Sequence, residues 1–271
     1  MNLAEIELAI DWAAAEGWNP GLGDAACFYS ADPEGFFIAI LDGKPVGSVA
    51  AVRYGDGFGF IGLFIVRPEF RGRRLGVNLG KAALAHLEGR NIGLDGVLKK
   101  VANYETFGFN YAYKNIRFEG RGSGAINQRA TSLCANFEFS EISAYDAKMF
   151  GCARPAFLHT WLDQQNAISL GINRAGALAG YGVIRKCRIG YKIGPLFADD
   201  IAIAEELLNA LASHANGELY YLDVPKPNES AIKLVQDRKM KEVFATVRMY
   251  SRSPPALPLE HIFGVTTFEL G

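Results

Sequence analysis

A run of glycines and arginines follows an apolar segment in the first third of the 271-residue chain. Residues 61–80 read IGLFIVRPEFRGRRLGVNLG: an apolar strand passes through a proline turn into Arg71, Gly72, Arg73 and Arg74, and then into an amphipathic helix. A helix N-terminus presents backbone N–H groups that have no intrahelical partner, and its dipole favours negative charge. Glycines let the backbone approach a ligand closely. These residue types in this order predict a binding site for a pyrophosphate.

The same residues resemble the GNAT superfamily of N-acetyltransferases. That family has an apolar strand ending in Val-x-Pro-Glu-aromatic-Arg-Gly, then Arg/Gln-x-x-Gly-x-Gly/Ala at a helix start. The chain has Val66-Arg67-Pro68-Glu69-Phe70-Arg71-Gly72, then Arg73-Arg74-Leu75-Gly76. Arg74 stands where the family usually has the first loop glycine. Its Cβ can hinder the approach of the cofactor, whereas an arginine pointing outward is tolerated.

The resemblance implies that acetyl-CoA is the co-substrate and assigns two groups of residues to it. In this fold strands four and five splay apart, and the pantetheine arm bonds to backbone groups exposed between them, which here belong to Phe64, Ile65 and Val66. These residues are also expected to be buried strand residues, and both roles hold together because the contacts are made by the main chain. The pyrophosphate is expected at the loop and helix start, which comprise Arg71, Gly72, Arg73, Arg74, Leu75 and Gly76.

A second family element follows at Tyr104-Glu105-Thr106-Phe107-Gly108-Phe109, which resembles the segment Tyr-Glu-x-x-Gly-Phe after the fifth strand. In many members that tyrosine protonates the departing thiolate, so the resemblance nominates Tyr104 as the general acid. A phenol has a pKa of about 10, above that of a thiol, and can supply the proton at neutral pH. The alternative is a tyrosine whose ring packs on the sheet with its hydroxyl in water.

The sequence shows no general base, because strand residues 58–66 contain no acid and no histidine. The nearest acids are Asp24, Asp56 and Glu105, which are typical of solvated or capping positions, so a chain of waters is the preferred interpretation. By resemblance the loop with Trp18 and Asn19 forms one wall of the acceptor site, where the two can read a substrate by stacking and hydrogen bonding. The alternative is a helix-terminating loop whose tryptophan covers the core.

These residues require a particular order of elements around them. Helical spacing predicts helices over 3–16 and 71–87, with shorter helices at about 23–30 and 102–107. Strands are predicted at 36–41, 45–53, 58–66, 92–98 and 111–118, the first three as a meander with tight turns. Such a mixed, mostly antiparallel twisted sheet flanked by helices belongs to the α/β (α+β) class.

The second half of the chain repeats this order at a nearly constant offset. Gly47 and Arg53 correspond to Gly180 and Arg185, and Arg117 corresponds to Arg248. We therefore predict two tandem GNAT-like domains, an arrangement that resembles a bacterial subfamily of tandem GNAT proteins. The boundaries are 1–120 for the acetyl-CoA-binding domain, 121–135 for the linker and 136–271 for a degenerate domain. The alternative is one mixed domain with chance similarity.

The second copy lacks the arginine and glycine loop and has Asp199 and Asp200 at its helix start, which suit capping and repel a pyrophosphate. Its expected use is structural, closing over the first half or shaping the acceptor pocket. The sequence thus predicts an acetyl-CoA-dependent N-acetyltransferase that acts on a primary amine by direct attack, with the oxyanion held by the Val66 N–H. A non-catalytic acyl-CoA-binding or sensor protein, and an enzyme for longer acyl-CoA, are the alternatives.

Composition excludes several other classes. A net charge of −1 argues against a nucleic-acid binder, and no apolar run approaches a membrane span of ~20 residues. Four scattered histidines show no metal-ligand spacing, so no metal is expected. Four cysteines without a C-x-x-C pair are typical of reduced thiols in a cytoplasmic protein. The acceptor, a small molecule or a protein lysine, and the oligomeric state are left open.

Overall fold

The computed structural model describes residues 1–122 and 130–271 of the chain. The middle of the predicted linker, 123–129, lies outside the described residues, and the boundaries of the two domains and the linker stay a prediction. The helices are α1 (Leu3–Ala15), α2 (Asp24–Ala31), α3 (Leu75–His86), α4 (Val101–Glu105), α5 (Leu133–Asn136), α6 (Phe139–Phe150), α7 (Pro155–Leu162), α8 (Ile201–Ser213) and α9 (Glu229–Asp237). None of the helices in the described ranges is long and apolar enough to cross a membrane.

The strands of the described residues join into one sheet. They are β1 (Phe36–Leu41), β2 (Lys44–Tyr54), β3 (Phe58–Val66), β4 (Asn91–Val97), β5 (Asn110–Arg121), β6 (Thr131–Ser132), β7 (Ala167–Arg174), β8 (Ala177–Lys186), β9 (Tyr191–Ala198), β10 (Leu219–Pro225), β11 (Lys241–Tyr250) and β12 (Ile262–Gly264). Their order is β1-β2-β3-β4-β11-β5-β10-β9-β8-β7-β6, with β12 pairing β9 outside this path. Within it, β3–β4 and β10–β9 are parallel and the other pairs antiparallel, so the predicted mixed, mostly antiparallel sheet flanked by helices is confirmed.

Local signals explain where most elements begin and end. The apolar runs at 36–41 and 58–66 form β1 and β3 with the predicted bounds. Helix α1 begins at a capping box in which the Asn2 side chain accepts from the Glu5 N–H while Glu5 reaches back to Asn2. The predicted start of the next long helix at 71 was wrong, because α3 begins at Leu75. Gly72 and Arg74 have φ of +81° and +61°, which the right-handed helix does not allow.

The two halves exchange their last strands. Strand β11 from the second half lies between β4 and β5 of the first half, and β5 pairs in turn with β10. Two buried ion pairs join directly opposed residues at this exchange, Arg248 on β11 with Asp95 on β4 and Arg117 on β5 with Asp223 on β10. Arg117 and Arg248 occupy corresponding positions in the two repeats. In each half, a buried aspartate therefore pairs with the corresponding arginine of the other half.

The hydrophobic core divides into three clusters around this sheet. The largest lies between the halves, where α1 and α2 face α6 and α7 and where Trp161 is fully buried. A second cluster packs α3 on β2, β3 and β4, and a third packs α8 and α9 on the sheet of the second half. The sheet therefore has a helix-covered outer face in each half and a shared inner face, and the site described below passes from one face to the other.

Candidate active site

Strands β3 and β4 pair over four residues and then separate. Their parallel register runs from Phe58 opposite Asn91 to Ile61 opposite Leu94, and no pair follows within the described residues. At the same point the register between β2 and β3 shifts, and Leu63 has a φ of +45°, which marks a bulge. Beyond Ile61, the edge of β3 that faces β4 therefore has no partner strand in the described part of the chain. We call the opening between β3 and β4 the first wedge.

A cavity of about 480 Å³ fills the first wedge. It contacts both faces of the sheet, because α4 contributes to one side and the loop after α1 and residues of the second half contribute to the other. The residues predicted from sequence that line it are Trp18, Phe64, Ile65, Val66, Arg71, Gly72, Arg74, Leu75, Gly76 and Tyr104. The structure thus brings together, in one cavity, residues predicted for four roles: the acceptor site, the binding of the pantetheine arm, the phosphate loop and the general acid.

Two predicted residues do not line this cavity. The Arg73 guanidinium lies 5.6 Å from the centre of the Phe70 ring on the exposed loop. The Asn19 side-chain amide donates to the backbone oxygen of Ile189 and accepts from its N–H, at 2.9 Å each. Asn19 therefore holds the loop after α1 to the second half, and the structure shows no group of it in the cavity.

The loop from 71 to 76 leaves the start of α3 open. No side chain caps this helix, in contrast to α1. Arg74, the cap residue, occupies the left-handed region that favours glycine, which gives a physical reason for glycine at this position in the family. A Cβ on Gly76 would meet Val66 and Phe64 at 3.7–3.9 Å, an ordinary contact, so the N-terminal turn packs on the end of β3 without crowding. First-turn N–H groups thus face the mouth of the cavity.

The Arg71 side chain is already engaged. Its Nε donates to the Val66 oxygen at 2.8 Å and its guanidinium pairs with Glu16 at the end of α1. Arg71 therefore ties the predicted phosphate loop to β3 and to α1, and the positive charge that it adds to the loop is partly offset by Glu16.

Tyr104 projects from α4 over β4. A Cβ on Gly96 would lie 2.6 Å from the Tyr104 Cε2 atom, so the ring rests directly on that glycine. The ring is half-buried, and its hydroxyl makes no hydrogen bond to any residue that the structure describes. Burial raises the pKa of Tyr104 above its ordinary value. The phenol thus stays protonated at neutral pH and has a free O–H to donate.

The acids that the sequence analysis considered do not line the cavity, and the structure supplies others. Asp24 is buried in an ion pair with Arg185, while Asp56 and Glu105 are exposed. Asp95 and Glu269 line the cavity instead. Asp95 could have been found from the sequence, because it is the one acid in the apolar strand β4. Glu269 belongs to the segment after β12, where nothing in the local pattern marks it.

The carboxylates of Asp95 and Glu269 differ in their partners. Asp95 accepts from Arg248 at 2.6 and 3.0 Å and from the Asn115 amide at 2.7 Å, so its charge is balanced and its oxygens are occupied. The Oε2 atom of Glu269 is buried and has no hydrogen-bond partner among the described residues. Such an oxygen is costly to bury unless something binds it.

In the second half, the chain itself fills the equivalent wedge. Strands β9 and β10 are parallel from Tyr191 opposite Tyr220 to Ile193 opposite Leu222, and beyond that point β12 pairs with β9. The Val265 N–H then donates to the backbone oxygen of Asp223 on β10 at 2.9 Å. The backbone groups that an incoming arm would need are therefore already bonded.

The helix start in the second half is closed as well. The Asp200 side chain caps α8 by accepting from the Ile203 N–H, and Arg174 pairs with both Asp199 and Asp200. A carboxylate thus occupies the place where a phosphate would bind, and only the first half keeps both an open wedge and an uncapped helix among the described residues.

Comparison with known proteins places this geometry in a family. The model of the Acetyltransferase (GNAT) family matches residues 4–109, and that of the Acetyltransferase (GNAT) domain matches residues 142–264. Over 273 residues the chain is 30% identical to the holothin acyltransferase of Pseudoalteromonas sp. (strain SANK 73390), covering 100% of this chain and 92% of that protein. It is 23% identical over 216 residues to the uncharacterized N-acetyltransferase YitH of Bacillus subtilis (strain 168), covering 78% and 76%.

Solved structures share the whole arrangement. A putative acetyltransferase from Pyrococcus horikoshii superposes with a TM-score of 0.84 at 23% identity, covering 100% of this chain and 94% of that one. A tandem GNAT protein from the clavulanic acid biosynthesis pathway superposes with a TM-score of 0.64 at 15% identity, covering 94% and 98%. At these identities the likeness concerns the fold alone.

The chain belongs to the GNAT family of acyltransferases and carries two GNAT domains. It is an enzyme of the N-acyl/acetyltransferase class, which confirms the resemblance seen in residues 66–76 and 104–109.

Proposed function

We propose that the protein is an acetyl-CoA-dependent N-acetyltransferase that acetylates a primary amine in the first half of the chain. The observation that carries this proposal is the contrast between the two wedges. The first is open and ends at an uncapped helix start, whereas the second is filled by β12 and capped by Asp200. One acyl-CoA therefore binds per chain, with its diphosphate at residues 71–76.

The arm lies along the free edge of β3. From Val66 to Gly62 an extended strand spans about 13 Å, which leads from the phosphate loop to the point where β3 and β4 meet. Phe64, Ile65 and Val66 offer backbone groups along this path, so the arm adds to the sheet as a strand would. The thioester then lies toward the closed end of the wedge, within reach of the tyrosine that projects over β4.

The chemical step is a direct attack. The amine nitrogen bonds to the thioester carbon, and the electrons of the carbonyl move onto its oxygen, where a backbone N–H on the free edge of β3 near the closed end stabilises the negative charge. Val66, which the resemblance suggested for this role, lies at the phosphate-loop end of the arm path, about 13 Å from Gly62, so we assign the role to a residue nearer Gly62. When the carbonyl reforms, the carbon–sulfur bond breaks and its electron pair leaves with sulfur. Tyr104 gives its proton to that thiolate, and the proton lost from the amine nitrogen returns to the phenol through water. The products are an amide and CoA.

The remaining assignments follow the same proposal. We place the reaction in the cytoplasm, where reduced thiols such as those of Cys27 and Cys187 are stable. The chemistry proposed needs no metal. One relative carries the name holothin acyltransferase. We propose that this chain also transfers an acyl group, that the group is acetyl and that the acceptor is an amine.

Calorimetric titration with acetyl-CoA, together with CoA release in the presence of primary amines, tests this proposal. Gly76→Glu places a carboxylate at the helix start and is expected to weaken binding strongly, because the added charge repels the diphosphate. Ala85→Glu, which adds the same charge at an exposed position of the same helix, is the control and should bind normally. Two sites per chain, or normal binding by a folded Gly76→Glu protein, would contradict the proposal.

A further inference from the structure

The closed end of the first wedge is lined by a buried acidic residue, Glu269, that neither the acyl-CoA path nor the ion pairs of the core account for. Glu269 lies in the segment after β12 and is 3% exposed. Its backbone packs on β3 so closely that a Cβ on Gly62 would lie 1.8 Å from the Glu269 oxygen. Gly62 directly follows Ile61, the last residue of β3 paired with β4. The main chain of Glu269 therefore lies where the wedge closes, at the end away from the phosphate loop, and the residue lines the cavity.

The segment that carries Glu269 is held firmly. The Thr266 hydroxyl accepts from Arg154, the Leu270 N–H donates to the Thr267 hydroxyl, and the Leu270 oxygen accepts from the Tyr54 hydroxyl. Residues 262–271 are all buried. The position of the Glu269 carboxylate is thus set by the packing of both halves, as a binding group requires.

Arg117, Arg185 and Lys192 lie close enough to interact with the charge of this carboxylate, but none of them donates a hydrogen bond to it. Arg117 donates two hydrogen bonds to Asp223, and Arg185 is paired with Asp24. Lys192 is buried and donates to the Trp18 oxygen at 3.4 Å. Burial lowers the pKa of Lys192, while Glu269 acts on it in the opposite sense. Among the residues that the structure describes, Glu269 forms no ion pair, and its Oε2 lacks a hydrogen bond.

Aromatic rings line the cavity beside Glu269. Trp18, Phe244 and Phe268 all contribute to it, the last two as a tilted pair with ring centres 6.2 Å apart. Arg117 lies 4.9 Å from the centre of the Phe268 ring, so that ring is backed by a cation. The end of the wedge therefore combines flat apolar walls with two buried acids, of which Asp95 is paired with Arg248 and Glu269 is not in an ion pair with any described residue, a combination suited to an aromatic or otherwise flat molecule that carries an amine.

We propose that Glu269 is the residue that binds the acceptor's amino group, and that the acceptor is a small aromatic amine held between Trp18, Phe244 and Phe268. This assignment rests on the proposed function, since it places the amine at the closed end of the wedge where the thioester arrives. The cavity of about 480 Å³ must hold this amine and the acyl end of CoA together, which favours a small molecule over the lysine of a folded protein. The second half thereby supplies acceptor recognition while the first half supplies the cofactor site.

Binding of an amine and its uncharged counterpart tests this assignment. Tryptamine and 3-ethylindole share ring and chain and differ in the amino group, as do phenethylamine and ethylbenzene. Each is titrated calorimetrically into the protein, with and without CoA. An amine bound by a buried carboxylate should bind about 10- to 100-fold more tightly than its uncharged counterpart. In Glu269→Gln that preference should fall to near unity, whereas Glu260→Gln, at an exposed position just before β12, should keep it.

Kinetics separate this role from a structural one. Glu269→Gln should raise the KM for the amine and leave the KM for acetyl-CoA unchanged, whereas loss of packing alone would alter both. If Glu269→Gln does not fold, the assignment is still tested by comparing the affinities of the amine and its uncharged counterpart for the wild-type protein. Equal affinity for charged and uncharged compounds, preference retained in Glu269→Gln, or no binding of either amine would overturn the assignment. Failure of acetyl-CoA to bind would instead overturn the proposed function, because the amine titrations without CoA do not depend on it.

Discussion

Gly96 offers a direct way to move the proposed general acid without removing it. A Cβ at Gly96 would lie 2.6 Å from Cε2 and 2.9 Å from Cδ2 of Tyr104, whereas ordinary contacts begin at 3.4 Å. In Gly96→Ala the Tyr104 ring must therefore shift away from β4 by about 1 Å. Because the ring is half-buried at the cavity rather than enclosed in the core, it can move, so the fold should persist.

The expected loss follows from this displacement. A misplacement of about 1 Å can cost on the order of 100-fold in rate, and proton donation by a positioned side chain contributes ~10²–10⁴-fold. We expect Tyr104→Phe to lower kcat by about 100-fold, near the lower end because water can partly replace the phenol. Gly96→Ala should lower kcat by about 10- to 100-fold. Both should leave the KM for acetyl-CoA nearly unchanged, since the arm is bound by β3.

A double-mutant cycle measures whether the two losses share a cause. If Gly96→Ala acts through the phenol, it should have little further effect on kcat in the Tyr104→Phe background. Steady-state CoA release with a saturating amine gives the four rates, and Gly57→Ala serves as control because its added Cβ meets no atom within 4 Å. Additive losses would refute the link between Gly96 and Tyr104, and an unchanged kcat in a folded Tyr104→Phe protein would remove Tyr104 from the mechanism.

Two further predictions concern the loop and the exchanged strands. Arg74→Gly should raise the free energy of unfolding by up to ~1 kcal/mol in denaturant titrations, because glycine adopts the left-handed conformation without the Cβ penalty; it should weaken acetyl-CoA binding only at low salt, where an exposed charge still acts. A fragment of residues 1–122 should fail to fold and to bind acetyl-CoA, because without β11 the buried Asp95 loses Arg248, a loss of about 3–5 kcal/mol in comparable pairs, and β4 and β5 lose their shared neighbour. A lower free energy of unfolding for Arg74→Gly would contradict the prediction for the loop. A cooperative thermal transition in the circular dichroism of the fragment would contradict the prediction for the exchanged strands.

The exchange of strands has a consequence for the division of labour. Since β11 completes the sheet beside β4, residues of the second half such as Phe244 and Thr246 reach the cavity of the first half. The same half, by placing β12 in its own wedge, gives up an arm-binding site. The second half thus contributes walls and charge to the cavity of the first half, and that this cavity is the acceptor pocket stays part of our proposal.

The amino-acid sequence alone determined the features that depend on neighbouring residues. The apolar run and turn of 58–66, the loop of 71–76 and the Tyr104 segment lie in continuous stretches whose conformation follows from local propensity, turn residues and helix-start chemistry. The repeat was visible because corresponding elements recur at a nearly constant offset. For these reasons the family can be recognised in the order and types of the residues, and the phosphate loop, the arm-binding strand and the candidate acid can be predicted from them.

Only the tertiary structure decided what depends on distant parts of the chain. Strand β11 takes its place between β4 and β5, β12 enters the second wedge, and Glu269 arrives beside Gly62 although 207 positions separate them. No local pattern marks a strand for pairing with the other half, because both halves present the same kind of edge. The choice is made by packing and by the buried pairs Arg248–Asp95 and Arg117–Asp223, whose partners meet only when the whole sheet is assembled.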